Sequence, residues 1–467
     1  MKRKQPNILF IMTDDHAAHA MSCYGSKVNQ TPQMDRLANM GARFDNCFCT
    51  NSICAPSRGV ILTGKNSHLN GVKTLEDGFD GRQQTLPKLL QAGGYQTSII
   101  GKWHLGHGGN YDPTGFDYWN IFPGQGQYIN PQMYDMGELK QYIGYATDIV
   151  TDLTIDWIKN RNKDKPFFMM CHHKAPHRHW VPDEKHKDMY EDIDIPLPDT
   201  FNDSHEGRSD AVKYNLMGIE ELTEFDLKEP FPEGLTDAEL KYWKYQRYMK
   251  DYLKCIASVD DNIGRLLDFL EEEGLKEDTI VVYTSDQGFF LGDHGWFDKR
   301  YMLEESLRMP FLMSYPGVIK EGSVITDLVA NLDFAETFLD YAGLEIPEDM
   351  QGRSFKPILE GNKPKDWLDA LYYRYWVYEG EHGVSPHYGI RTLDYKLICY
   401  LKEARDFSGN CLKEVEDKEW PQWELFDLRT DSEELDNVYD DVRYQDVVKE
   451  LKRRLFELKE YYQDYED

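Results

Sequence analysis

Four groups of polar residues each close a short apolar run. Asn7–Thr13 (NILFIMT) ends in Asp14 and Asp15, and Thr97–Ile100 leads into Lys102 and His104 (GKWHLG). Pro166–Cys171 (PFFMMC) leads into His172, His173 and His177, and Thr279–Thr284 (TIVVYT) into Asp286 and Gln287. Carboxylates and an amide carbonyl are oxygen donors for a hard divalent cation. Imidazoles move protons near neutral pH, and a lysine neutralises an anion. Taken singly, each group has an ordinary explanation: Asp-Asp caps a turn, a histidine is satisfied in a core, and Asp-Gln-Gly makes a turn. At the ends of four neighbouring parallel strands they would converge, because ligands of open α/β sheets bind beyond the carboxyl ends of the strands.

A fifth group is more specific. Cys54-Ala55-Pro56-Ser57-Arg58-Gly59 leads into Val60–Gly64. Pro56 suits the first turn of a helix, which puts Cys54 at a helix N-terminus, where free N–H groups and the dipole favour an anion. A buried cysteine before a capped helix would look similar. Chance occurrence of Cys-x-Pro-x-Arg in this composition is roughly 0.02, before Ser57, Gly59 and Leu62-Thr63-Gly64 are counted.

The elements that must position these groups are readable as runs. Continuous apolar strands alternating with helical stretches predict an α/β fold with a mostly parallel sheet covered on both faces. The predicted helices are Thr31–Met40, opened by Thr31-Pro32, then Leu86–Gln91, Thr147–Lys159 and Asp237–Glu273, the last stopped by Gly274. Residues 182–239 are acidic and without pattern, and read as a surface insertion over one edge of the sheet. Composition turns loop-like around Gly361–Asp366; Tyr395–Tyr400 and Trp423–Leu428 then alternate, and a helical tail follows from Gln445 to Tyr462. The expected division is a catalytic domain over 1–362 and a smaller α+β C-terminal domain with an antiparallel sheet over 363–467.

The chain has 467 residues and a net charge of −29. That balance argues against nucleic-acid and anionic-membrane partners. An anionic substrate must be held by a few local cations or a metal. No run approaches the ~18 apolar residues of a membrane span. Ile8–Met12 is too short for a signal core and is followed by Asp14, so the expectation is a cytoplasmic protein. Eight cysteines without a CxxC spacing indicate neither a disulfide framework nor a structural zinc.

Cys54–Gly64 (CAPSRGVILTG) resembles the signature of the type I, formylglycine-dependent sulfatases of the alkaline-phosphatase-like superfamily. Asn7–Asp15, Gly101–Gly106 (GKWHLG), Pro113–Trp119 (PTGFDYW), Thr284–Gly288, Tyr388–Leu397 and Glu424–Arg429 resemble that family's other segments, in order. The resemblance implies that a formylglycine-generating maturation enzyme oxidises Cys54 to an aldehyde. Its hydrate attacks sulfur, the alcohol leaves, and the second hydroxyl expels sulfate. It implies that Asp14, Asp15, Cys54 as formylglycine, Asp286 and Gln287 ligate calcium, with magnesium as the alternative. Arg58 would hold the formylglycine, and Lys102 and Lys299 would neutralise sulfate. His177 would protonate the leaving alcohol and His104 would act as base. Gln287 departs from the family, which usually has Asn or His there, and the lysine matched by Lys299 varies in position. His179 competes with His177, and Asp293 and His294 are candidates to line the pocket.

Tyr283–Arg300 most resembles bacterial carbohydrate sulfatases, notably N-acetylglucosamine-6-sulfatases. The implied substrate is 6-O-sulfated N-acetylglucosamine in mono- or oligosaccharide fragments of mucin or glycosaminoglycan. Arg374, His382 and His387 are expected to reach over the pocket to sugar hydroxyls or a carboxylate. The alternatives are a phosphonate monoester hydrolase or phosphodiesterase sharing the signature, a choline-sulfatase, and an inactive binder of sulfated glycans.

Overall fold

The structure is a computed structural model and describes residues 5–377, 380, 382–403, 405–406, 408–412 and 419–466. A ten-stranded sheet forms the frame. Across it the strands run Ser323–Ile325, Ala42–Phe44, Phe311–Ser314, Thr279–Ser285, Asn7–Thr13, Phe167–His172, Gln96–Gly101, Tyr118–Ile121, Gln132–Asp135 and Glu138–Gln141. The four apolar runs are adjacent and mutually parallel at its centre. Antiparallel pairs occur only toward the two edges.

Register explains why the polar groups meet. Met12 lies opposite both His172 and Thr284, Thr13 opposite Ser285, and Gly101 opposite His172. Asp14, Lys102, His173 and Asp286 therefore leave the sheet at one level. Alternate side chains serve two cores. Ile8, Phe10 and Met12 face the core built with Val60, Leu86 and Phe334. Leu9 and Ile11 face Leu37, Ile149 and Tyr252. Helices Cys54–Thr63, Leu86–Ala92 and Phe334–Ala342 thus cover one face, and Pro32–Met40, Ala146–Asn160 and Asp237–Glu272 the other.

The longest helix starts at a capping box, in which Thr236 and Glu239 satisfy each other's backbone N–H. It stops before Gly274, whose φ of +65° suits glycine. Its Tyr252 hydroxyl donates to the Asp15 carbonyl at 2.7 Å and accepts from the Ala17 N–H at 2.9 Å, which clamps the loop after the first strand. No described helix is long and apolar enough to cross a membrane.

Residues 182–239 are not a mere surface cover. They form turns and one-turn helices, yet Ile195, Phe201, Val212, Ile219 and Leu227 are buried in the two cores. Their apolar residues are spaced irregularly, so no periodicity marks them as core. The C-terminal region holds a four-stranded antiparallel sheet of Ala370–Tyr375, His387–Thr392, Tyr395–Tyr400 and Gln422–Asp427. The helix Gln445–Tyr461 packs on it through Val448, Leu451 and Leu455.

Candidate active site

Cys54 is the first residue of a ten-residue helix that is buried throughout and closes at Gly64 with φ +62°. Burial pushes its thiol up to about 11, against the pull of Lys102. One turn on, Arg58 ties three strand ends together. Its Nε donates to Asp286 Oδ2 at 2.9 Å, Nη2 to Asp14 Oδ2 at 3.1 Å and Nη1 to the Lys102 carbonyl at 2.7 Å. Ser57 Oγ donates to the Asp286 carbonyl and accepts from Asn331 Nδ2. The helix is thereby locked to the strand end carrying Asp286.

Asp14, Asp15, Asp286 and Gln287 are fully buried together. The Asp15 N–H donates to Asp286 Oδ1 at 3.3 Å. Lys102 pairs with Asp14 and donates to Gln125 Oε1; Lys299 Nζ lies 2.7 Å from Asp15. Burial pushes Asp15 up to about 7 and Asp286 up to about 6. Burial opposes the charge of Asp14 as well, yet Lys102, His177 and Arg58 hold it well below the usual carboxylate range. Asp14 Oδ1 and Gln287 Oε1 are buried oxygens with no hydrogen-bond partner among the described residues. Oxygens of Asp14 and Asp15 and a ring nitrogen of His177 lie within 4.8 Å of one another. Crowded carboxylates that resist ionisation, plus orphaned oxygen acceptors, are what a hard divalent cation relieves. The donor set therefore fits such an ion, and Gln287 still offers a carbonyl where Asn or His was expected.

The histidines divide. His177 Nδ1 donates to the Arg178 carbonyl at 2.7 Å, which leaves Nε2 facing Asp15 Oδ2 at 3.7 Å. Burial, with Lys102 nearby, holds its pKa well below the ordinary value. His104 sits in the left-handed region at φ +57° with Nδ1 unpartnered, and burial and Lys102 depress it too. His172 is a bracket beneath the site: its Nδ1 lies 3.1 Å from the Lys102 carbonyl. Lys174 was not foreseen as a functional group. Burial and then Lys102 lower its pKa to about 7, and its Nζ donates to the Arg178 carbonyl at 3.2 Å. Gln125 was missed as well; its loop carries no motif that would mark it.

Six other expected residues are placed less simply. His179 Nδ1 is 3.0 Å from Asp226 and does not share the position of His177. His382 reaches the neighbourhood of Lys299, with Nε2 3.2 Å from Asp298. Arg374 does not reach the pocket. Its Nη1 donates to Asp464 at 2.7 and 2.8 Å and to the Glu466 carbonyl at 2.7 Å, tying down the C-terminal tail. His387 is buried among Tyr301, Tyr373, Tyr375 and Tyr400, with Nδ1 donating to the Ser385 carbonyl at 2.7 Å. The register that sets His387 opposite Tyr375 and Tyr400 makes it a core residue. Asp293 pairs with His19 at 3.3 Å and His294 with Asp203 at 2.9 Å. Asp293 borders a different cavity of about 460 Å³, lined also by His19, Glu305 and Arg308.

A parallel sheet whose strand ends gather three carboxylates, two lysines, an arginine and the helix start carrying Cys54 has the arrangement of an alkaline-phosphatase-like hydrolase. The sulfatase family profile matches residues 6–344 and that of the N-sulphoglucosamine sulphohydrolase C-terminal region matches residues 292–461; the chain belongs to the sulfatase family. It is 45% identical to an N-acetylglucosamine-6-O-sulfatase of Bacteroides thetaiotaomicron, over 99% of this chain and 87% of the relative. It is 27% identical to the human N-acetylglucosamine-6-sulfatase, over 82% and 69%. A solved structure in complex with its substrate D-glucosamine-2-N,6-O-disulfate superposes with a TM-score of 0.93 at 44% identity, covering 99% of each chain. The phosphonate monoester hydrolase of Agrobacterium radiobacter, at 20% identity and TM-score 0.76 over 98% and 96%, shares the fold. The chain is thus a sulfatase, a hydrolase of sulfuric esters.

Proposed function

We propose that this sulfatase removes the 6-O-sulfate of N-acetylglucosamine or glucosamine from glycan fragments, using formylglycine made from Cys54 by a maturation enzyme and a calcium ion on Asp14, Asp15, Asp286 and Gln287. A buried thiol with its pKa near 11 stays protonated at neutral pH and is a poor nucleophile as it stands. That argues against the unconverted thiol as the attacking group. Once in place, the converted residue and the cation supply the attacking oxygen and the charge that polarises the sulfate.

The chain's own side chains do the rest. Arg58 fixes the helix start against Asp14 and Asp286. Lys102 and Lys299, each paired with a carboxylate of the cluster, neutralise the sulfate oxygens. His177 keeps Nδ1–H on the Arg178 carbonyl, so Nε2 is the atom that carries a proton to the leaving alcohol. An incoming sulfate ester raises the pKa of that imidazole by its negative charge.

The observation that carries the 6-O reading is the full-length likeness to the Bacteroides N-acetylglucosamine-6-O-sulfatase. Sulfate release from N-acetylglucosamine-6-sulfate, galactose-6-sulfate and a uronate-2-sulfate tests it, with Cys54→Ala as blank. Glucosamine-2-N,6-O-disulfate is the fourth substrate, its product read by mass and NMR. Fastest release from the glucosamine O6 is expected. Faster cleavage of another ester, or loss of the N-sulfate alone, overturns the reading.

A further inference from the structure

The segment 182–239 delivers an aromatic ring to His179, two residues beyond His177. Its one-turn helix Glu224–Leu227 is capped by Thr223 and Asp226, each satisfying the other's backbone N–H. Asp226 is 1% exposed and accepts from Arg178 Nη2 at 2.7 Å, Arg178 Nε at 3.1 Å and His179 Nδ1 at 3.0 Å. A buried carboxylate held by an arginine, a histidine and its own cap fixes this helix onto the two residues that follow His177. Phe225, on the same turn, is 73% exposed, and the edge of its ring meets the His179 ring with centroids 4.1 Å apart. The His179 side chain is itself 36% exposed. The Tyr128 hydroxyl donates to the His177 carbonyl at 2.6 Å.

Geometry makes the location informative. With His177 Nε2 as the proton donor of the proposed function, the sugar that loses sulfate would lie on its side of the crevice. A sugar attached to it would then reach solvent by way of the exposed His179 and Phe225. A rigidly held, exposed aromatic face next to an imidazole suits the apolar face of a pyranose ring, and two such rings exclude water better than one. An isolated exposed phenylalanine would otherwise be ordinary. Its lock to the catalytic segment through buried Asp226 is what sets it apart.

We infer that Phe225 and His179 form a stacking subsite for the sugar residue adjoining the sulfated one, which gives the enzyme a preference for oligosaccharides over the monosaccharide. This rests on the carbohydrate sulfatase reading of the site. Asp226 is a positioning residue in this scheme, acting through Arg178 and His179.

The test is steady-state kinetics of wild type, Phe225→Ala and Phe225→Trp on N-acetylglucosamine-6-sulfate and on a di- and a trisaccharide ending in the same sulfated residue. Phe225→Ala is expected to raise KM for the oligosaccharides about tenfold while kcat, and both constants for the monosaccharide, stay within about twofold of wild type. Phe225→Trp should restore the oligosaccharide KM. An unchanged ratio of oligosaccharide to monosaccharide KM in Phe225→Ala overturns the inference. So does an equal loss on all three substrates. If wild type ignores 6-sulfated glucosamine, the same pair of lengths is compared on the sulfated sugar it does cleave. Failure of the 6-O assignment is thereby kept separate from failure of the subsite.

Discussion

At the strand ends, Asp14, Asp15 and Asp286 share Arg58, Lys102 and Lys299 in a fully buried cluster. Where the segment 182–239 meets the C-terminal sheet, Arg208 faces Glu424 at equal depth, with both side chains wholly inaccessible. The second pair is complete: two parallel bonds of 2.9 Å, a further donor from the Ser209 N–H at 2.7 Å, and the guanidinium over the Phe426 ring. The first is not complete. Asp14 Oδ1, Gln287 Oε1 and His104 Nδ1 are buried without partners among the described residues, and Asp15 and Asp286 are pushed toward their neutral forms. Burial and charge alone therefore do not mark a site here. Unspent hydrogen-bonding capacity gathered on neighbouring acid, amide and imidazole groups does, whereas isolated unpartnered atoms also occur at packing positions such as His387 Nε2 and Ser209 Oγ.

Several substitutions would sharpen or break that contrast. Cys54→Ala should lower sulfate release by at least about 10³-fold, measured by ion chromatography, with little change in Tm. Arg208→Ala should do the reverse. Leaving Glu424 buried and unpaired is expected to cost about 3–5 kcal/mol in urea unfolding, while kcat/KM of the folded enzyme stays near wild type. If Arg208→Ala instead abolished turnover at unchanged stability, the distinction between the clusters would fail. Calcium at about 100 times its dissociation constant should stabilise chelator-treated protein by about 2.7 kcal/mol, read as a Tm shift. The shift should vanish in Asp286→Asn, and its survival there would remove Asp286 from the ligand set.

The smallest effect concerns Lys174. Its folded pKa of about 7 lies below the ordinary 10.5, so between these values the unfolded chain binds the extra proton. Stability should therefore rise with pH above 7, by about 1–2 kcal/mol from pH 7 to 9, and the rise should be lost in Lys174→Met. An identical pH slope in urea midpoints for the two proteins would show that the amine is charged in the fold.

Much of the frame was open to reading from the chain. The four apolar runs are the four central strands to within one or two residues, and the long helix Asp237–Glu272 begins at its capping box and ends before Gly274. Those features rest on local physics: periodicity, caps and a glycine with positive φ. The segment 182–239 could not be read the same way. Its buried residues have no period, and Asp226 and Arg208 acquire meaning only from partners 48 and 216 positions away.

The sequence by itself determined which residue types stand at each strand end and that Cys54 opens a helix. Chemistry carried by short motifs is local, so it survives without coordinates. Only the tertiary structure decided which of several equivalent side chains take part. It turned His177 Nε2 toward Asp15 and His179 toward Asp226, spent Arg374 on Asp464, and buried His387 among tyrosines. Those choices depend on register and packing between segments far apart in the chain, which no local pattern encodes.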